Sequence, residues 1–169
     1  GLGAGNAAVQ GALAIPGSGI TELEGKYVYG LNANTDVYGK LALQSMSGGS
    51  ATVLGGGAKG LFMKATKAMP VDRAWVGDIN YSAQSGATVL GLIGGVIFSR
   101  KIGRLTPYGL IGLTYFNASA GSTSGSGIGF GGGASYVVSA QMSVKGEVLI
   151  SNISGSSQTA IGGAVSYNL

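Results

Sequence analysis

Apolar side chains alternate with small or polar ones in segment after segment of this chain, and that period of two limits what it can fold into more than any motif does. Between Val37 and Gln44, the residues Val37, Leu41 and Leu43 oppose Tyr38, Lys40, Ala42 and Gln44. Between Trp75 and Ser82, Trp75, Ile79 and Tyr81 oppose Val76, Asp78, Asn80 and Ser82. The last residues repeat the pattern, with Ile161, Val165, Tyr167 and Leu169 against Gly162, Ala164, Ser166 and Asn168. Successive residues of a strand point to opposite faces, so each segment reads as a strand with one apolar face and one small or polar face.

The next question is which solvent meets the apolar faces. Charged residues make up 9% of the chain, against about 25% in ordinary soluble proteins. Mean hydropathy is +0.36. Lipid is therefore the expected surroundings. The 34 glycines argue against helices there, since each Gly within a helix costs about 1 kcal/mol relative to Ala. The longest apolar run, Ala87 to Phe98, holds three glycines and falls short of the roughly 20 residues a spanning helix needs. A closed barrel is the remaining spanning structure that satisfies its own backbone. The fold expected is all-β: residues 1–169 as one closed antiparallel up-and-down transmembrane β-barrel.

Turn signals divide the alternating segments into ten strands, over 6–15, 22–32, 37–46, 52–64, 74–83, 87–99, 105–118, 127–138, 141–153 and 159–169. Eight is the rival count, because the glycine-rich fourth and eighth segments are readable as partly loop. With both termini on the periplasmic side, the odd-numbered connections face the exterior, and all are uncharged: Pro16-Gly17-Ser18-Gly19, Ser47 to Ser50, Gln84 to Gly86, Ala120 to Ser126, and Gly155 to Gln158. Charge gathers in the even-numbered ones, at Asn32 to Asp36, Thr66 to Arg73 and Arg100 to Arg104.

Two segments carry a resemblance. The closing strand, with Gly163, Tyr167 and the terminal Leu169, resembles the segment that bacterial outer-membrane barrels present to their assembly machinery. The run Leu105-Thr106-Pro107-Tyr108-Gly109-Leu110-Ile111-Gly112-Leu113-Thr114-Tyr115 follows a short basic turn and resembles a recurring element of the OmpA/Opa-like small barrels. The resemblance implies the bacterial outer membrane after removal of a signal peptide, with outer-membrane lipid and the barrel assembly machinery as partners. The chain departs from that family in its short exterior connections. Its start at Gly1, without Met or a basic leader, is what a processed secretory product is expected to show.

Turning the polar faces inward gathers Lys26, Lys40, Lys59, Asp78, Lys145 and Glu147 as lumen charges. Isolated charges in a small barrel are costly, so they are expected either to pair in an interior network or to line a narrow pore. Gly127, Gly129, Gly131 and Gly133 form one face of the eighth strand, which suits barrel curvature or the close approach of a ligand or a partner barrel. The spacing G-x-G-x-x-G at Gly127, Gly129 and Gly132 lacks the following helix of a dinucleotide site. Tyr27, Tyr29, Trp75, Tyr81, Tyr108, Tyr115, Phe116 and Tyr167 lie near strand ends, as in an interfacial aromatic girdle.

These residues exclude most chemistry. The chain has no His and no Cys, which removes the usual general base and the thiolate ligands, so no catalytic residue, no metal and no cofactor is expected. The computed pI near 9.4 comes from dispersed cations rather than a basic stripe, so nucleic acid is not an expected partner. Three functions remain: a structural, anchoring or assembly barrel that contacts itself or another envelope protein, a narrow pore for small solutes or ions lined by the lumen lysines, and a soluble or fibre-forming β-rich surface protein.

Overall fold

The computed structural model describes residues 2–169 except 18, 85, 120–122 and 154. Ten strands occur in chain order: β1 (Ala7–Pro16), β2 (Thr21–Gly30), β3 (Thr35–Met46), β4 (Gly49–Met63), β5 (Asp72–Gln84), β6 (Ala87–Ser99), β7 (Leu105–Ala118), β8 (Thr123–Val137), β9 (Met142–Ile153) and β10 (Ser156–Asn168). Each pairs antiparallel with its neighbours in sequence, and β1 pairs with β10 to close the barrel. The closing ladder runs from Ala8 opposite Asn168 to Pro16 opposite Ala160. Closure removes every sheet edge, which is the condition for strands to live in hydrocarbon.

The count of ten stands, and the rival count of eight is excluded. The two glycine-rich segments that prompted it are the longest strands, 15 residues each. Both begin earlier than the composition suggests. Thr123 to Ser126, read from sequence as exterior loop, continues the ladder opposite β7, with Thr123 against Ala118 and Ser126 against Tyr115. Ser and Gly are weak strand formers by propensity, but a ladder already templated by an apolar neighbour overrides that. Arg100–Arg104 turns tightly: Ile102 and Leu105 exchange backbone hydrogen bonds of 2.8 and 3.0 Å, and Gly103 takes φ +61°, the left-handed conformation that two-residue hairpins demand.

The distribution of side chains is inverted relative to a water-soluble protein. Buried apolar residues are few and mostly small: Ala8, Ala42, Ala51, Val53, Ala74 and Ala164. Among the described residues no large side chain is fully buried. The large apolar residues stand outside, with Leu113 67% exposed, Leu54 62% and Leu23 59%. In water each would forgo about 1.5–3 kcal/mol of burial; in lipid they are at home. This exterior supports a barrel that spans a membrane and argues against the soluble and fibre-forming alternatives.

Glycines set the curvature on the inner face. A Cβ on Gly127, Gly131 or Gly133 of β8 would collide with backbone carbonyl oxygens of β9 (Asn152, Val148 and Gly146). Gly95 of β6 meets Ile111 of β7 in the same way, at 2.7 Å. Strands that approach this closely coil sharply, and only residues without side chains allow it.

Candidate functional site: the lumen

The inward face of β2 carries Glu22, Glu24, Lys26 and Val28, and the inward face of β3 carries Asp36, Tyr38, Lys40, Ala42 and Gln44. Register places Lys26 opposite Lys40, two like charges side by side. Glu24, one inward step along β2, resolves the conflict. It lies 3.2 Å from Lys26 Nζ and 3.4 Å from Lys40 Nζ. Lys40 also reaches Asp78 on β5 at 3.2 Å, although β4 lies between them. The glycines of β4 make that possible. Ladder pairing sets Lys40, Gly55 and Asn80 in one row and Tyr38, Gly57 and Asp78 in the next. With no side chain at 55 or 57, Lys40 and Tyr38 lie flat across β4, and the Tyr38 hydroxyl donates to Asp78 Oδ2 at 2.5 Å. A Cβ at Gly57 would sit 2.6 Å from that hydroxyl. The Lys26 ammonium rests 4.6 Å from the Tyr38 ring centroid, within cation–π range.

The arrangement recurs on another arc of the wall. Tyr108 of β7, Gly133 of β8 and Glu147 of β9 share a row, and the Tyr108 hydroxyl donates to Glu147 Oε2 at 2.7 Å across the glycine. Lys145 pairs with the same carboxylate oxygen at 3.0 Å. Nearer the rim away from the termini, Gln44 Nε2 donates to Glu22 Oε2 at 2.6 Å.

Of the charges picked from sequence, the structure thus joins Lys26, Lys40 and Asp78 in one cluster and Lys145 with Glu147 in another. Lys59 stands apart: it faces the lumen opposite Asp36 but forms no ion pair among the described residues. Asp36 instead accepts a 2.8 Å hydrogen bond from the Leu2 amide, which holds the N-terminal segment in the barrel mouth. Glu22, Glu24 and Asp36 were missed at the sequence level. Parity alone finds them, because Glu22 and Glu24 share a face with Lys26, and Asp36 shares one with Tyr38 and Lys40.

Two other expectations change. Tyr108 and Phe116 are not part of an outer girdle. They sit on the inward face of β7 with Thr106 and Leu110, whereas Tyr27, Tyr29, Trp75, Tyr81, Tyr115 and Tyr167 are exposed on the outside. The face of Gly127, Gly129, Gly131 and Gly133 also points into the lumen, where Tyr108 and Leu149 lie against it, so no partner barrel can dock on it. At the closing strand, Gly163 and Tyr167 face outward, the Tyr167 hydroxyl donates to Gln141 Oε1 at 3.1 Å, and the Leu169 amide donates to the Ala7 carbonyl at 2.9 Å.

A cavity of about 480 Å³ occupies the half of the lumen nearer the termini. Gln10, Lys26, Lys59, Tyr108, Lys145 and Ser166 line it. Among the described residues no three acidic side chains gather closely enough to hold a metal ion.

No family model matches the chain, and no curated protein matches it. Solved structures similar to it include outer-membrane β-barrels and a designed transmembrane β-barrel. The N-terminal β-barrel domain of Pseudomonas aeruginosa OprF is 15% identical with a TM-score of 0.45, the match covering 99% of each chain. The Yersinia pestis outer membrane protein Ail is 13% identical with a TM-score of 0.48, covering 98% of this chain and 99% of that one. The KdgM porin is 13% identical with a TM-score of 0.48, covering 96% of this chain and 99% of that one.

Proposed function

We propose that this chain is a bacterial outer-membrane barrel with a structural, anchoring or assembly role and no catalytic activity. The observation that carries this reading is the pairing of the lumen charges across wall glycines. Glu24, Lys26, Lys40, Asp78 and Tyr38 form one closed network, and Tyr108, Lys145 and Glu147 form another. Charges that neutralise one another brace a wall and leave little field to draw ions through it. The same pairing removes the two acids, Asp78 and Glu147, that sequence alone offers for general acid–base work. The closing strand with Gly163, Tyr167 and Leu169 is the segment such a barrel would present to an assembly machinery, and the apolar exterior would meet lipid, a second copy or another envelope protein.

The pore reading draws on one observation, the 480 Å³ cavity lined in part by Lys59, which forms no ion pair among the described residues. Planar-bilayer recording tests the proposal. The purified barrel is expected to insert without steady unitary conductance, and Lys40→Ala combined with Lys145→Ala to introduce one. Steady conductance of the unaltered protein would establish the pore instead.

A further inference from the structure

The charges outside the lumen are confined to one place. Lys64, Lys67, Arg100, Lys101 and Arg104 occupy the β4–β5 and β6–β7 connections, and Arg73 is the second residue of β5, with Asp72 the lone acid beside them. These connections flank the β5–β6 pair on the rim that also bears the termini. The Asp72 carboxylate is taken up by the Ala65 amide at 2.8 Å, and Arg73 is turned toward the Met69 sulfur. None of the six cations forms an ion pair among the described residues, and all except the half-buried Arg73 are exposed. The opposite rim has no charged residue in any of its connections.

What lies next to the cations identifies their surroundings. Phe62, Trp75, Phe98 and Leu105 are exposed on the outer wall directly beside the basic connections, and Met69 and Ile102 project from the connections themselves. The Trp75 indole covers Gly60 of the neighbouring strand, which fixes the ring on the outer surface. Aromatic rings on a barrel wall mark the boundary between hydrocarbon and headgroups. Cations one step beyond that boundary stand at the level of lipid phosphates, where each Lys or Arg is attracted to an anionic surface.

We infer that this basic rim is a binding surface for anionic phospholipid headgroups of the leaflet on the termini side, gathered around the β4–β7 arc. The inference rests on the membrane-spanning reading of the barrel. Six unpaired cations on a rim would repel one another without counter-ions, and phospholipid phosphates supply those in the plane where the cations lie. The cations also fix the barrel against vertical displacement, because the opposite rim has no charge to resist it.

The lone tryptophan makes the inference measurable, since Trp75 stands on the outer wall at this rim. The protein is reconstituted in vesicles of phosphatidylcholine and phosphatidylglycerol in which one or the other lipid is brominated, and quenching of Trp75 is read at each composition. Quenching by brominated phosphatidylcholine alone reports that the barrel is embedded, so its absence would sink the spanning reading itself. With embedding established, brominated phosphatidylglycerol is expected to quench as if bound several-fold more tightly. The preference should approach one in a variant carrying Lys64→Gln, Lys67→Gln, Arg100→Gln, Lys101→Gln and Arg104→Gln, and in about 1 M salt, where screening acts within about 3 Å. Equal quenching by the two lipids in the unaltered protein, or a preference unchanged in the variant, would overturn the inference. Displacement of brominated phosphatidylglycerol by lipid A at lower concentration than by unlabelled phosphatidylglycerol would overturn the assignment to phospholipid. These side chains are exposed and unpaired, so the variant is expected to fold, with unaltered heat-modifiable migration as the check.

Discussion

The Tyr38 hydroxyl donates to Asp78 Oδ2 at 2.5 Å across a strand to which neither residue belongs. Gly57 lies between them, and its missing side chain is the gap through which the tyrosine reaches. Tyr108 and Glu147 repeat the relationship over Gly133. Each joint ties three consecutive strands at lumen level, adding side-chain ties to the backbone ladder. A hydrogen bond to an ionised acceptor contributes about 1.5–3 kcal/mol, so the two joints are substantial against the marginal stability of a small domain.

Tyr38→Phe and Tyr108→Phe keep the ring over the glycine and remove only the hydroxyl. Each is expected to lower unfolding stability in detergent micelles or vesicles by about 1.5–3 kcal/mol. The two joints share no hydrogen bond or ion pair, so the double variant should lose the sum to within about 0.5 kcal/mol. Denaturant titration followed by heat-modifiable gel migration measures all three, and a loss well below the sum would show that the joints are coupled.

Gly57→Ala and Gly133→Ala test the gap itself. The added Cβ meets the tyrosine hydroxyl at 2.6 Å in one case and 2.7 Å in the other, and also the backbone of the adjacent strand. Overpacking of this kind costs about 1–3 kcal/mol. Gly25→Ala of β2, whose Cβ would lie 4.0 Å from its nearest neighbour, is expected to fold as the unaltered protein does. Equal stability of all three variants would remove the glycine gap from the account.

Lys40 and Lys59 are both inward lysines but should respond differently to Met. Lys40 bridges Glu24 and Asp78, whose side chains are 13% and 11% exposed; removing it leaves the enclosed Asp78 carboxylate with the Tyr38 hydroxyl but no cation, and Glu24 with Lys26 alone, at a cost of about 3–5 kcal/mol. Lys59 forms no ion pair among the described residues, so Lys59→Met should change stability by less than about 1 kcal/mol. The comparison is made by equilibrium unfolding, and equal losses would contradict the network drawn above.

Leu113 and Leu54 are the most exposed large residues within the strands. On a lipid-facing wall, Leu113→Arg should destabilise the barrel in vesicles by about 2–4 kcal/mol if the residue lies near mid-membrane. A substitution that is neutral in vesicles, or that renders the protein monomeric without detergent, would contradict the lipid-facing assignment.

Strand alternation and the scarcity of charge were sufficient to specify a closed barrel, because a period of two with an apolar face admits few other arrangements when no helix is long enough to span. The ten-strand count was legible too, since turns and charged connections punctuate the chain at regular intervals. Strand limits were less so: Thr123 to Ser126 reads as loop by composition and becomes strand only because β7 supplies a ladder for it. Parity also sorted the wall into inside and outside, although Tyr108 and Phe116 were assigned to a girdle by their aromatic character rather than by their parity with Leu110.

The sequence by itself determined which residues share a face, since that follows from backbone geometry within one strand. Only the tertiary structure decided which of those residues meet. Lys26 and Lys40 stand opposite each other because of the β2–β3 register, and Tyr38 meets Asp78, 40 residues away, because β4 places a glycine between them. Register is a property of pairs of strands, and a reach across a third strand is a property of three. Neither is written in the local pattern of any one of them, which is why the lumen lysines were recognisable as a set while their division between two braces, with Lys59 left outside both, was not.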